Sequence, residues 1–161
     1  MIRLAALALL VPAVAAADSS ELEAQLGAGI ARGDTPTWAT GPMVALSVGL
    51  WHGPIAFALR GIAFTGIGAS SQSNANLLTA AVDVQYAPAR WLWFAGGPGL
   101  DAADGGAIAG DVRAGVVVYD RGGHQLAVSL EAVHAERGTS EAQNAHSIWT
   151  FGLLFGYEDR P

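Results

Sequence analysis

The 161 residues are 52% hydrophobic and 14% charged, with 21 Gly, 7 Pro, no Cys, a formal charge of −6 and no Lys among the 8 basic residues. That length holds one ordinary domain, and its apolar content rules out an intrinsically disordered chain. Scattered Arg and a net negative charge exclude nucleic acid, which is held by clustered cations; the lack of Cys excludes a disulfide, a thiolate metal site and a cysteine nucleophile.

The chain opens with Met1-Ile2-Arg3, an apolar run from Leu4 to Ala17 broken only by Pro12, and Ala15-Ala16-Ala17 before Asp18. One positive charge, a short apolar region and small residues at the junction predict a signal peptide over residues 1–17, leaving residues 18–161 as the domain. The run is shorter than the ~20 residues of a spanning helix. Two longer stretches, Thr35 to Leu59 and Gly61 to Val82, carry no charged residue. His52-Gly53-Pro54 cuts the first, since Pro breaks a helix, and the polar segment Gly68 to Asn74 cuts the second.

From Glu21 onward the period is two, as on strands whose successive side chains point to opposite faces. Leu22, Ala24, Leu26, Ala28 and Ile30 share one face, with Glu21, Glu23, Gln25, Gly27 and Gly29 on the other. Val44 to Leu50, Ile55 to Leu59 and Leu78 to Tyr86 repeat the alternation. Arg90 to Leu100 is the weakest segment, because Trp91-Leu92-Trp93-Phe94 is apolar on both faces; Pro98, which cannot donate to a ladder, is expected at a strand end or bulge. Ile108 to Val118, Leu126 to Ala132 and Ser147 to Tyr157 complete eight rows.

Connections alternate in length. Short turns are expected at His52-Gly53, Ala87 to Arg90 and Arg121-Gly122-Gly123; longer links span Arg32 to Gly41, Gly66 to Asn76, Asp101 to Gly106 and Ala135 to Ala145. An even strand count with alternating short and long links predicts an all-β fold, an eight-stranded antiparallel up-and-down transmembrane β-barrel with tight periplasmic turns and exposed outer loops. A soluble barrel would place charge on its outer face, and these apolar rows have none. A three-residue loop at Arg121-Gly122-Gly123, with Gly123 left-handed, sets Asp120 opposite His124 and Arg113 opposite Glu131. Trp51, Tyr86, Trp91, Tyr119 and Tyr157 collect near one set of strand ends and Trp149 near the other, as interfacial aromatics do. Trp51 and Tyr119 have inward parity, which calls for a bulge or a lumen role.

At the C-terminus, Thr150-Phe151-Gly152-Leu153-Leu154-Phe155-Gly156-Tyr157 matches polar-x-Gly-x-x-aromatic-x-aromatic. It resembles the assembly signal of bacterial outer membrane barrels, carried by Thr150, Gly152, Phe155 and Tyr157, and the chain as a whole resembles the OmpA/OmpX-like family of small barrels. The resemblance implies a Gram-negative cell outer membrane location, insertion by the barrel assembly machinery, contact with outer membrane lipid and lipopolysaccharide, and a monomer. The tail Glu158 to Pro161 departs from the pattern, since family members usually finish on the aromatic itself.

Arg60, Asp83, Asp111, Arg113 and Glu131 have inward parity, so in a barrel just wide enough for side chains they form a structural ion network filling the lumen. The expected role is structural or surface interaction through the outer loops, with no catalytic, cofactor or metal site. Two alternatives come from other classes. A narrow gated pore would need Arg113 to change partner. A lipid A-modifying enzyme is suggested by Ser73-Asn74-Ala75, which resembles the His-x-Ser-Asn segment of lipid A deacylases; here Ser71 stands in place of the His, which removes the nearest base for a Ser73 nucleophile. His134, His146, Glu136 and Glu141 flank the last long link as more distant candidates. Arg32-Gly33-Asp34 in the first long link resembles an integrin-binding tripeptide.

Overall fold

The computed structural model describes residues 19–33, 37–69, 74–103, 107–136 and 147–159. They form β1 (Ser19–Arg32), β2 (Trp38–His52), β3 (Ile55–Gly66), β4 (Ala75–Ala89), β5 (Leu92–Asp101), β6 (Ala107–Arg121), β7 (His124–Glu136) and β8 (Ser147–Asp159). Each strand pairs antiparallel with its sequence neighbour, and β1 closes against β8, from Leu22 opposite Asp159 to Arg32 opposite Trp149. Closure leaves no edge, so every strand has a backbone partner on both sides, the condition for a sheet to cross a bilayer. No described helix is long and apolar enough to span one.

The alternation read from the sequence fixes which face each residue takes. Leu22, Leu26, Leu46, Phe57, Leu59, Val82, Val112, Leu130, Leu153 and Phe155 are exposed on the outside, while Glu23, Arg60, Asp83, Arg113 and Glu131 are buried within. Exposing so many large apolar side chains would be costly in water and is the expected surface in lipid. Along β8, Tyr157 and Trp149 both lie outward. Eight residues at ~3.3 Å each, tilted by ~40°, separate them by roughly 20 Å in height, close to the ~25 Å apolar band of such barrels.

Three local expectations need correction. The β6–β7 turn has two residues, Gly122 and Gly123, with φ of 66° and 93°, so both central residues are positive as a type I′ turn requires. Arg121 therefore faces His124, and Asp120 faces Gln125 instead of His124. A bulge between Val117 and Tyr119 absorbs the difference, so Arg113 still faces Glu131. The same bulge turns Tyr119 outward to 53% exposure, whereas Trp51 keeps inward parity and is buried. Second, the β4–β5 turn is Arg90-Trp91, not Ala87 to Arg90: β4 continues to Ala89, which pairs with Leu92, with a register shift between Tyr86 and Ala89. The first short turn is likewise displaced by one residue, to Gly53-Pro54, with His52 paired to Ile55. Third, Pro98 lies inside β5, opposite Gly110 of β6. On the β4 side the ladder has no pair at Val82 and Asp83, so the residue that cannot donate sits where pairing is already interrupted.

Candidate functional site

The interior has two storeys. Toward the loop end it is apolar: Met43, Ile62, Phe64, Leu77, Val133, Ile148 and Leu154 form one buried cluster with the small residues Ala31, Ala45, Ala109 and Ala135. Gly152 makes room for this packing, since a Cβ there would overlap the sulfur of Met43. The middle of the lumen and its turn end are polar.

At mid-height Glu23 of β1 bridges two guanidinium groups. Arg113 donates from Nη1 to both Glu23 oxygens, at 2.8 and 2.6 Å, and Arg60 donates from Nη1 to Oε2 at 3.3 Å. Ser47 adds a hydroxyl donor at 2.5 Å. Arg60 also grips Glu131 side-on, Nε to Oε1 at 3.0 Å and Nη2 to Oε2 at 2.6 Å, the paired geometry that suits a guanidinium and a carboxylate. Thus Glu131, although the register partner of Arg113, is held by Arg60. Arg113 places Nη2 3.2 Å from Asp83 Oδ2 and its guanidinium 4.7 Å from the centre of the Trp93 ring. Trp93 reaches that position because Gly115 leaves the wall of β6 bare; a Cβ on Gly115 would overlap the indole. All four ion-paired contacts are inaccessible to solvent at both side chains.

Of the five residues expected in the network, Arg60, Asp83, Arg113 and Glu131 are joined, and Glu23 joins them. Asp111 is not gripped by either guanidinium: it is buried opposite Gly97 and lies against Asp83 across β5, within reach of the field of Arg113 and Glu131. Buried carboxylates outnumber guanidinium groups, and neutral donors serve several of them. Glu21 accepts from Trp51 Nε1 and from Gln85 Nε2 at 3.3 Å, and Glu158 accepts from Gln25 Nε2 at 3.3 Å. Gln25 in turn accepts from Arg60 at 3.2 Å and from Ser129 at 3.1 Å. Sequence reasoning passed over Glu21, Glu23 and Gln25 as network members, although their inward parity on the first row was the signal that could have found them.

The C-terminal motif lies wholly on β8. Thr150 and Gly152 face the lumen, and Phe155 and Tyr157 face outward. Tyr157 is hydrogen bonded through its hydroxyl to His124 Nδ1 at 2.6 Å, and His124 lies 3.7 Å from Asp159. Asp34, Ser73, Glu141 and His146, as well as residues 1–17 of the expected signal peptide, fall outside the described residues. Among the described residues no group of three His, Asp or Glu is placed to hold a metal ion.

An all-antiparallel, fully closed eight-stranded sheet with an apolar outer band and a packed polar interior has the fold of the small outer membrane barrels. Among solved structures, the chain is similar to neisserial surface protein A, with a TM-score of 0.72 and 13% identity over 88% of this chain and 97% of that one. The outer membrane protein OprG from Pseudomonas aeruginosa also matches, with a TM-score of 0.46 and 11% identity over 89% of this chain and 97% of that one. No family model and no curated protein matches the sequence.

Proposed function

We propose that this chain is an outer membrane protein of a Gram-negative cell whose barrel is a plugged scaffold, and that its role is structural or one of surface interaction through the segments linking the strands at the loop end. The observation that carries the reading is the filled lumen. An ion network with solvent-inaccessible side chains lies beneath an apolar cluster, and an eight-stranded barrel is just wide enough for side chains to fill it. A rigid barrel then holds its loops at the cell surface, where binding residues are usually carried. The outer membrane placement is supported by the exposed apolar rows and by the likeness to the neisserial barrel. The network itself is proposed to be structural, and the β8 motif to be the assembly signal.

The test has two parts. Unboiled protein from an outer membrane fraction should migrate differently on a gel from boiled protein, as a closed detergent-resistant barrel does. Arg113→Glu should mainly lower the unfolding midpoint and leave the conductance in planar bilayers unchanged. If this variant melts like the parent but alters ion flux, the lumen is a gate and the plug reading fails.

A further inference from the structure

The register brings four outward-facing residues of neighbouring strands into one row at the loop end. Trp38 of β2 faces Arg32 of β1, Arg32 faces Trp149 of β8, and Trp149 faces His134 of β7. The row is knitted by ring contacts. The Arg32 guanidinium lies 5.6 Å from the Trp38 ring centre, and the His134 and Trp149 rings stack at 4.3 Å. On the far side, Gly110 of β6 faces His134 and leaves a recess of about 390 Å³ bounded in part by Trp149 and Glu136.

Directly beneath this row, toward the membrane centre, lies an apolar groove of about 1000 Å³. Ile30, Phe151 and Ala132 share the next register row, and Ala28, Leu153 and Leu130 the one after. Ala28, Ala132 and Ala114 are short, so the groove runs between larger side chains such as Ile30, Phe151, Leu130 and Val112, from Thr40 of β2 across β1, β8 and β7 to β6.

Charge singles out the occupant. Arg60 and Arg113 are committed to the lumen, and Arg90 and Arg121 lie at the turn end. Among the described residues Arg32 is thus the one Arg on the loop-end rim, and no described acid pairs with it. A guanidinium suits a phosphate through paired N–H donors, and an aromatic row above an apolar groove suits a headgroup above an acyl chain. Glu136 opposes an anion; its Oε1 is 3.8 Å from His134 Nε2, one register step beyond Ala135 and nearer the loops. We infer that the loop-end rim of β7, β8, β1 and β2 binds a phosphorylated, acylated lipid of the outer leaflet, with Arg32 and His134 holding its phosphate on either side of Trp149 and an acyl chain lying in the groove. The inference rests on the membrane placement proposed above.

The experiment uses the full barrel in detergent, titrated by native mass spectrometry with bis-phosphorylated lipid A and with the same lipid stripped of its phosphates. The phosphorylated form should bind at least about tenfold more tightly. Arg32→Gln with His134→Gln should erase that preference, Glu136→Gln should tighten binding of the phosphorylated form, and Ala132→Phe should weaken both forms by filling the groove. All four substitutions face outward, and the gel mobility shift reports that each variant is still a closed barrel. Equal affinity for the two lipids, a preference that survives the double substitution, or displacement of the lipid by inorganic phosphate at comparable concentration would overturn the site. Recovery of the parent protein in the soluble periplasmic fraction and not in the outer membrane fraction instead refutes the membrane placement, so the two failures are distinguishable.

Discussion

Replacing Glu23 by Gln keeps the side-chain shape and removes the charge that two guanidinium groups share. The carboxylate receives three donor groups, Arg113, Arg60 and Ser47, at 2.5 to 3.3 Å. Taking one partner from a buried ion pair costs about 3 to 5 kcal/mol, because the remaining charge is left in a medium that solvates it poorly. Here both cations retain a second acid: Arg60 keeps its side-on grip on Glu131, and Arg113 keeps Asp83 at 3.2 Å. The expected loss therefore sits at the low end, about 3 kcal/mol, or roughly a hundredfold in the folding equilibrium. Asp111→Asn supplies the contrast. Among the described residues Asp111 has no Arg or amide donor of its own and lies against a second buried acid, Asp83, and an amide in its place can donate to Asp83 without adding charge, so stability should hold or rise by about 1 kcal/mol. The assay is urea unfolding of the barrel in phospholipid vesicles, followed by Trp fluorescence. Equal destabilisation by the two substitutions would refute the reasoning, since it would mean that lumen charge counts only in bulk and the particular contacts of Glu23 do not matter.

Gly115→Ala should push the Trp93 indole off the wall of β6 and cost about 1 to 3 kcal/mol as an overpacked core does, with a shifted Trp emission spectrum; an unchanged spectrum and stability would contradict the packing described. In the β6–β7 turn, Gly122→Val should destabilise by about 1 to 2 kcal/mol because its φ is 66°, whereas Gly122→Asn should be nearly neutral, as Asn tolerates that conformation; comparing their unfolding midpoints checks this. Phe155→Ala combined with Tyr157→Ala should reduce outer membrane insertion in cells while leaving refolding into vesicles intact. Parallel loss in both assays would show that these residues serve stability and not the proposed assembly signal.

The facing of residues was legible because lipid and lumen impose opposite demands on successive positions, and Leu22 through Ile30 or Leu78 through Tyr86 obey them without exception. Turn lengths were less legible. The β6–β7 hairpin keeps the Arg113 and Glu131 pairing only because a bulge at Val118 cancels a shorter turn, and nothing in Val116-Val117-Val118 distinguishes a bulged strand from a regular one. The apolar storey of the lumen was hidden for a related reason. Ile62, Phe64 and Leu154 are inward yet as apolar as their outward neighbours, so runs such as Leu153-Leu154-Phe155 show no contrast between faces. Glu23 was visible on the inward face, but its choice of partners depends on which strands curl toward one another across the lumen, a distance the linear pattern does not contain.

The bridging role of Glu23 also bears on how the barrel closes. Its two cations come from β3 and β6, while Glu23 sits on the first strand, whose other edge completes the ring against the last. Until β1 meets β8, the lumen stands open to water and each charge keeps its hydration; once they meet, water is expelled and the carboxylate must be in place between Arg60 and Arg113. The seam therefore behaves as a latch. Peeling β1 away breaks its backbone ladders and at the same time takes from Arg60 and Arg113 the carboxylate they share, leaving each with a single acid, Glu131 and Asp83, so opening at the termini carries an electrostatic cost built from the middle of the chain.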